Sequence, residues 1–303
     1  LNGSSPKGLF KLNNNFYGVT AKGGAFNTGT FYTVTLSGET TKLHDFDPEM
    51  EGRNPNGSLF WSNENELFYG ATRFGGIMDA GSIFSISESG DLTALHFFEG
   101  EEQGQFPYAS PVRHSNGNLY GTTLTGGTFG DGVLYSIDTE GNYEVLVNFF
   151  SFFDGASCES QLVEAENGLL YGLCAEGGAF NDGSLFQFDP ETNTLTVVHS
   201  FNSATNGAAP KDKLLLYSDG KLYGTTSAGL NGGGSIFRYS TDIGFELLHG
   251  FQPGTDGSTS SGELVEDESG SVYGVCSQGG SSGFGTCFKY SEENGFEVIY
   301  SFS

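Results

Sequence analysis

The chain has 303 residues, 12 of them Lys or Arg against 37 Asp or Glu, and a formal charge of −25. Such a balance repels phosphate backbones and anionic lipid headgroups at long range, which excludes nucleic acid as a partner. No apolar run approaches the roughly 18 residues of a membrane-spanning helix. With 48 glycines, 14% aromatics and no helical apolar spacing held for three turns, the composition describes short strands joined by tight turns, an all-β chain.

The dipeptide Tyr-Gly recurs at Tyr17, Tyr69, Tyr120, Tyr171, Tyr223 and Tyr273, every 50–52 residues. A fixed period of this length means that one supersecondary unit is copied and that no copy buries its apolar face alone. Six units, about 1–50, 51–102, 103–153, 154–205, 206–255 and 256–303, fill the chain without a linker. One domain is expected, although length alone would suggest two.

The third unit shows how each is cut into strands. Ser110 to His114 leads through Ser115-Asn116-Gly117 into Asn118 to Thr123, and a Gly-rich loop from Gly126 to Gly132 leads to Val133 to Ile137. Thr139-Glu140-Gly141-Asn142 then turns into Tyr143 to Phe149. Asn-Gly between β-rich runs signals a hairpin, because type I′ turns need positive φ. Two hairpins per unit are therefore joined by two longer connections, the Gly-Gly loop and the joint to the next unit, which leave on one face while the tight hairpins occupy the other. This alternation predicts a six-bladed β-propeller of four-stranded antiparallel blades rather than an up-and-down barrel. The joints run from a Phe to Gly-x-x-Pro, as in Phe201 to Pro210, and Ser301-Phe302-Ser303 followed by Leu1-Asn2-Gly3-Ser4-Ser5-Pro6 reads as the same joint. The termini are expected to meet between the first and sixth blades.

The combined pattern of Leu119-Tyr120-Gly121-Thr122-Thr123, Gly126-Gly127, a loop glycine three residues before Tyr135, and the Gly-x-x-Pro joint resembles the GloVer-type tandem repeats of secreted and surface-anchored bacterial proteins. The resemblance covers all six units and implies an exported, extracellular or cell-surface protein, but it assigns no chemistry to any residue. A start at Leu1 rather than Met agrees with an upstream signal or anchor. The pattern departs from itself at Leu230 to Gly234, where the loop is one residue shorter, and at Cys174 and Cys276, which replace the second-strand Thr.

Four of the five histidines, His44, His96, His199 and His249, share one register position ahead of Phe46, Phe98, Phe201 and Phe251. Equivalent positions lie apart around a propeller, so these imidazoles read as structural. Tyr32, Phe84, Tyr135, Phe186, Phe237 and Phe288 form a layer between blades. Cys158 replaces the joint proline beside the strand that Cys174 ends, and Cys276 and Cys287 flank one loop. An even count in an exported acidic chain predicts two disulfides, 158–174 and 276–287. No C-x-x-C or histidine cluster suggests a metal, and no cofactor is expected.

Function is expected where the loop face breaks the repeat, since ligand sites sit on loops held by a rigid scaffold. Lys22, Phe74, Glu176 and Gln278 vary just before the Gly-Gly pair, with Arg73 beside Phe74, and the joints add Arg53, Phe106, Tyr108, Phe152 and Phe153. Aromatics beside polar groups suit a sugar, whose C–H face stacks while its hydroxyls bond. The reading that follows is a secreted or surface-anchored propeller that recognises a carbohydrate or other cell-surface ligand on the loop face near the axis. A polysaccharide-active enzyme is the alternative: a glycosidase using two of Glu159, Glu176 and Asp154, or a lyase using Lys22, Arg53, Arg73 and a tyrosine. A structural spacer of a surface assembly is the third.

Overall fold

The computed structural model describes residues 3–138 and 140–303; Leu1, Asn2 and Thr139, which belong to the expected terminal joint and to one expected turn, lie outside the described residues. The chain is a six-bladed β-propeller with essentially no helix beyond the single 3₁₀ turn Glu101–Gln103. Two compact units hold three blades each, Leu1–Phe149 and Phe150–Ser303.

In the first unit, blade 1 is Gly3–Leu12, Asn15–Gly23, Thr30–Thr35 and Thr40–Asp45, and blade 2 is Arg53–Ser62, Leu67–Phe74, Ser82–Ile86 and Leu92–Phe97. Blade 3 is Val112–Arg113, Leu119–Thr125, Val133–Ile137 and Tyr143–Asn148, with Gln105–Pro107 paired to the far end of its second strand. The second unit repeats the plan with second strands Leu170–Cys174, Leu222–Thr226 and Val272–Gln278 in blades 4 to 6. Among the described residues the four strands of each blade pair antiparallel in chain order, as hairpins require, and parallel bridges such as Gly126 with Asp131 occur only within the Gly-Gly loops. First strands are shorter than expected in the last four blades, Val112–Arg113 for example, because an irregular stretch separates the hairpin end from the joint end. In blades 1 and 2 a register shift absorbs that stretch, so the strand stays continuous over 10 residues.

The Tyr-Gly motif has a direct packing cause. The motif glycine pairs across strands with the aromatic layer: Gly70 with Phe84, Gly121 with Tyr135, Gly172 with Phe186, Gly224 with Phe237 and Gly274 with Phe288. The ring lies down over its glycine, so a Cβ on Gly70 would come within 2.2 Å of Phe84 Cζ and one on Gly121 within 2.3 Å of the Tyr135 hydroxyl. The tyrosine before it is buried in the first five blades, and it reaches back to the hairpin where Asn116 Nδ2 donates to Tyr120 at 2.8 Å and Asn167 Nδ2 to Tyr171 at 3.3 Å. Between blades, the phenylalanine that follows the fourth strand meets the next layer: Phe46 on Phe84 at 5.1 Å, Phe98 on Tyr135 at 5.5 Å, Phe251 on Phe288 at 5.2 Å. Trp61 belongs to the same kind of cluster, 4.6 Å from Phe68.

The histidines fill these junctions. His96 stacks on Tyr143 at 4.0 Å and His199 on Phe245 at 3.6 Å, and burial pushes both imidazoles down to about 4. His249 stacks likewise on Phe296 at 3.9 Å, but it and His44 also share 2.8 Å hydrogen bonds with Asp256 and Glu51, each seven residues on.

One expected disulfide forms and the other does not. The joint proline pairs with the second-strand threonine as Pro6 with Thr20, Pro55 with Thr72 and Pro107 with Thr123; Cys158 and Cys174 take those two positions in blade 4 and are bonded. In blade 6 the pair is Ser260 with Cys276, so the joint supplies no thiol. Cys287 faces Val275 while Cys276 faces Thr286. That one-residue offset sends the two sulfurs to opposite faces, because side chains alternate along a strand. The predicted 276–287 bond is thus corrected to two free thiols, Cys276 buried and Cys287 partly exposed.

Two outcomes follow from this packing. Gly121→Ala should cost about 2–3 kcal/mol in denaturant unfolding, whereas Tyr135→Phe, which removes a buried hydroxyl without a partner among the described residues, should be neutral or stabilising by up to about 1 kcal/mol; equal losses for both would refute the stacked arrangement. Mass mapping of untreated protein should find a single 158–174 link, with Cys287 alkylated in the native state and Cys276 only on unfolding.

Candidate functional site

The first unit brings five of the expected residues together. Arg53 opens blade 2 and pairs across strands with Phe74, the last residue of the second strand, so both reach the Gly-Gly loop. The Gln105–Pro107 segment then delivers Phe106 and Tyr108; Phe106 has a φ of 59° and its amide donates to Ala80 O at 2.8 Å. The rings of Phe74 and Phe106 lie 5.3 Å apart. The Arg73 guanidinium sits 5.2 Å from the Phe74 ring and 5.4 Å from that of Tyr108, and Arg53 lies 5.0 Å from Phe74. Each contact is a cation against the negative face of a π system.

The two arginines differ in what else they hold. Arg53 grips Asp79 with two parallel bonds, Nη2 to Oδ2 at 2.8 Å and Nε to Oδ1 at 3.2 Å, and Asp79 also accepts from the Gly75 amide at 2.7 Å. Arg53 is therefore committed to shaping the loop. Arg73 has no carboxylate partner among the described residues, and its Nε is buried without a hydrogen bond.

The remaining candidates are dispersed. Lys22 is exposed at the end of the blade 1 second strand, opposite Ser4. In the second unit Phe150, Phe152 and Phe153 form an exposed aromatic group with centroids 5.0–6.5 Å apart. Glu176 is exposed and exchanges backbone bonds with Ala156, Glu159 follows the bonded Cys158, and Gln278 is exposed opposite Ser258. Asp154 accepts from the Phe150 amide at 3.2 Å, and burial raises its carboxyl above the ordinary range.

Sequence reasoning missed Asp212. It follows the blade 5 joint proline by two residues, and burial pushes its carboxyl up to about 6, against the opposing effects of the Gly262 amide and Lys211; Glu263 and Glu159 push the same way as burial. Its local sequence, between Lys211 and Lys213, carries no signal of burial. Also missed were the exposed loop tips, Phe26, Ile77 and Met78 in the first unit and Phe180 and Phe284 in the second. They recur from blade to blade, so a search for departures from the repeat passed over them. The hairpin face, expected to carry only tight turns, has a depression of about 430 Å³ between Asn167, Tyr171, Asp219, Lys221, Tyr239 and Asp242. Lys221 is tied to Asp219 there and Asp219 caps its own turn, so these groups satisfy one another. The aromatic and cationic cluster of blades 2 and 3 is the stronger candidate, because Arg73 is unsatisfied. Among the described residues no group of His, Cys, Asp and Glu is arranged to hold a metal, and no helix is long and apolar enough to cross a membrane.

A family model for the Gloeobacter/Verrucomicrobia repeat matches residues 2–183 and again 150–303. No curated protein matches the chain. Among solved structures, the extracellular domain of a protein assigned as a hybrid two-component system from B. thetaiotaomicron superposes with a TM-score of 0.64 at 13% identity, over 92% of this chain but only 33% of that one. A protein assigned as a 6-phosphogluconolactonase from Bacteroides uniformis gives 0.62 at 16% identity, over 95% of this chain and 82% of that one. Oligogalacturonate lyase in complex with manganese gives 0.63 at 12% identity, over 95% and 77%. Identities this low establish a shared fold alone.

The Asp212 carboxyl provides a pH test. Its folded value lies above the unfolded one, so the folded state holds an extra proton between about pH 4 and 6 and stability falls as pH rises through that window. Asp212→Asn should leave stability unchanged near pH 4 and raise it by about 1–2 kcal/mol at pH 8. A variant no more stable at pH 8 would show that the carboxyl is solvated.

Proposed function

The chain belongs to the Gloeobacter/Verrucomicrobia repeat family, and from that premise we propose that it is an exported propeller that binds carbohydrate through the Gly-Gly loop and joint of blades 2 and 3. The observation that carries this reading is the Phe74, Phe106, Tyr108 cluster with Arg73 set between rings. Flat apolar faces beside a donor-rich group are what a pyranose needs, since one face of the ring is C–H and its rim is hydroxyl. The Cys158–Cys174 disulfide supports export, because such bonds persist in oxidising compartments. The extracellular origin of the B. thetaiotaomicron domain agrees with it. The ligand is thus a carbohydrate of a cell surface or its surroundings.

A second reading, a polysaccharide-active enzyme, rests on Asp212. A carboxyl that burial pushes up to about 6 is suited to give or take a proton, with Glu159 and Glu263 near enough to perturb it. Oligogalacturonate lyase among the similar folds is in keeping with this alternative.

Retention on a panel of immobilised polysaccharides, with soluble products assayed in parallel, distinguishes the two. Tyr108→Ala and Phe74→Ala should each weaken retention at least tenfold, while Asn167→Ala and Asp219→Ala on the hairpin face leave it unchanged. Release of products that Asp212→Asn abolishes would favour the enzyme; no retention and no release would leave the spacer reading.

A further inference from the structure

The four arginines of this chain are Arg53, Arg73, Arg113 and Arg238. In a chain of charge −25, carboxylates are abundant, and three of the four have found one: Arg53 with Asp79, Arg113 with Glu64, and Arg238 with Glu246 and Glu292. Arg73 has not, among the described residues. It is nevertheless held firmly, between the Phe74 and Tyr108 rings, with Nε enclosed and bonded to nothing. An unpaired, partly desolvated guanidinium costs free energy that the fold does not recover within the site. Its terminal NH2 groups are the part left open to a ligand. The nearest acid on the loop, Asp79, is occupied by Arg53 and by the Gly75 amide, so it does not compete.

We propose that Arg73 receives the carboxylate of a uronic acid residue, whose ring stacks on Tyr108 and Phe106, within a glycan that is otherwise neutral. This rests on the carbohydrate reading above and narrows it. A planar guanidinium matches a carboxylate through two parallel bonds, which a lysine at the same place does not reproduce. In a uronate the carboxylate projects from the rim of the ring, so a C–H face on the aromatic surface and an acid group on the neighbouring guanidinium are engaged together. The restriction to a sparsely charged glycan comes from the remainder of the molecule. A polyanion would meet the repulsion of 25 excess negative charges along its length, whereas one carboxylate feels mainly its local cation, since fields are screened beyond roughly 8 Å at physiological salt.

The test uses the whole chain and paired probes: glucuronoxylan and a uronate-bearing arabinogalactan, each with its carboxyl-reduced form, and a sulfated galactan. Wild type should bind at least one uronate form ten times or more tighter than its reduced form. Arg73→Gln should erase that difference by weakening the uronate form at least tenfold more than the reduced form, and Arg73→Lys should restore only part of it. Equal binding of the two forms, or a preference that survives in Arg73→Gln, overturns the proposal while the carbohydrate reading stands. Tighter binding of the sulfated galactan overturns the carboxylate assignment. Failure of every glycan on the wider panel removes the carbohydrate reading first and this proposal with it. Should Arg73→Gln not fold, the wild-type comparison of native and reduced glycans still decides.

Discussion

The structure depends on an aromatic ring lying over a glycine across the strand pair, repeated in each blade. The glycine has no side chain to lift the ring, and the ring covers backbone that would otherwise be left unpacked. With the ring flattened, the blade presents a surface on which the phenylalanine that follows the neighbouring blade's fourth strand rests, as Phe46 does on Phe84 and Phe251 on Phe288. A larger residue at any motif glycine would tilt the ring into that phenylalanine. Cross-strand pairing and blade-to-blade packing are therefore one constraint, and this is why Tyr-Gly is the most regular feature of the sequence.

The repeat made the fold legible. Asn-Gly turns and β-rich runs located the strands of the third unit to within two or three residues, and the strand Val133–Ile137 as observed. What the period conceals is register within a strand. Cys276 and Cys287 flank one loop, but facing requires knowledge of which residues oppose each other, and Thr286 rather than Cys287 stands opposite Cys276. Cys158 could be paired from sequence because it stands in the joint-proline position beside the strand that Cys174 ends, a position that lies opposite the second-strand threonine in blades 1 to 3.

The candidate site was legible as residue types and not as relations between them. Arg53 and Arg73 look alike in sequence, and only the Asp79 contact, across 26 residues, separates a loop brace from an unpaired cation. Asp212 offers a related lesson: nothing in its local sequence sets it apart, and its desolvation is decided by neighbours such as Gly262, 50 residues away. The histidines show how a repeat accommodates variation. Seven residues beyond each lies Glu51, Gln103, Asn206 or Asp256, so the imidazole meets either an acid or an amide. Where it meets an amide, burial keeps it neutral.

The Cys158–Cys174 bond also bears on mechanics. When a chain is pulled from its ends, strands joined only by hydrogen bonds peel apart in turn. The first hairpin of blade 4 lies inside a covalent ring with a sequence separation of 16, so roughly 55 Å of extended chain is withheld from any stretch. The molecule thus carries one segment of fixed length under load, which a change in the surrounding redox state would release.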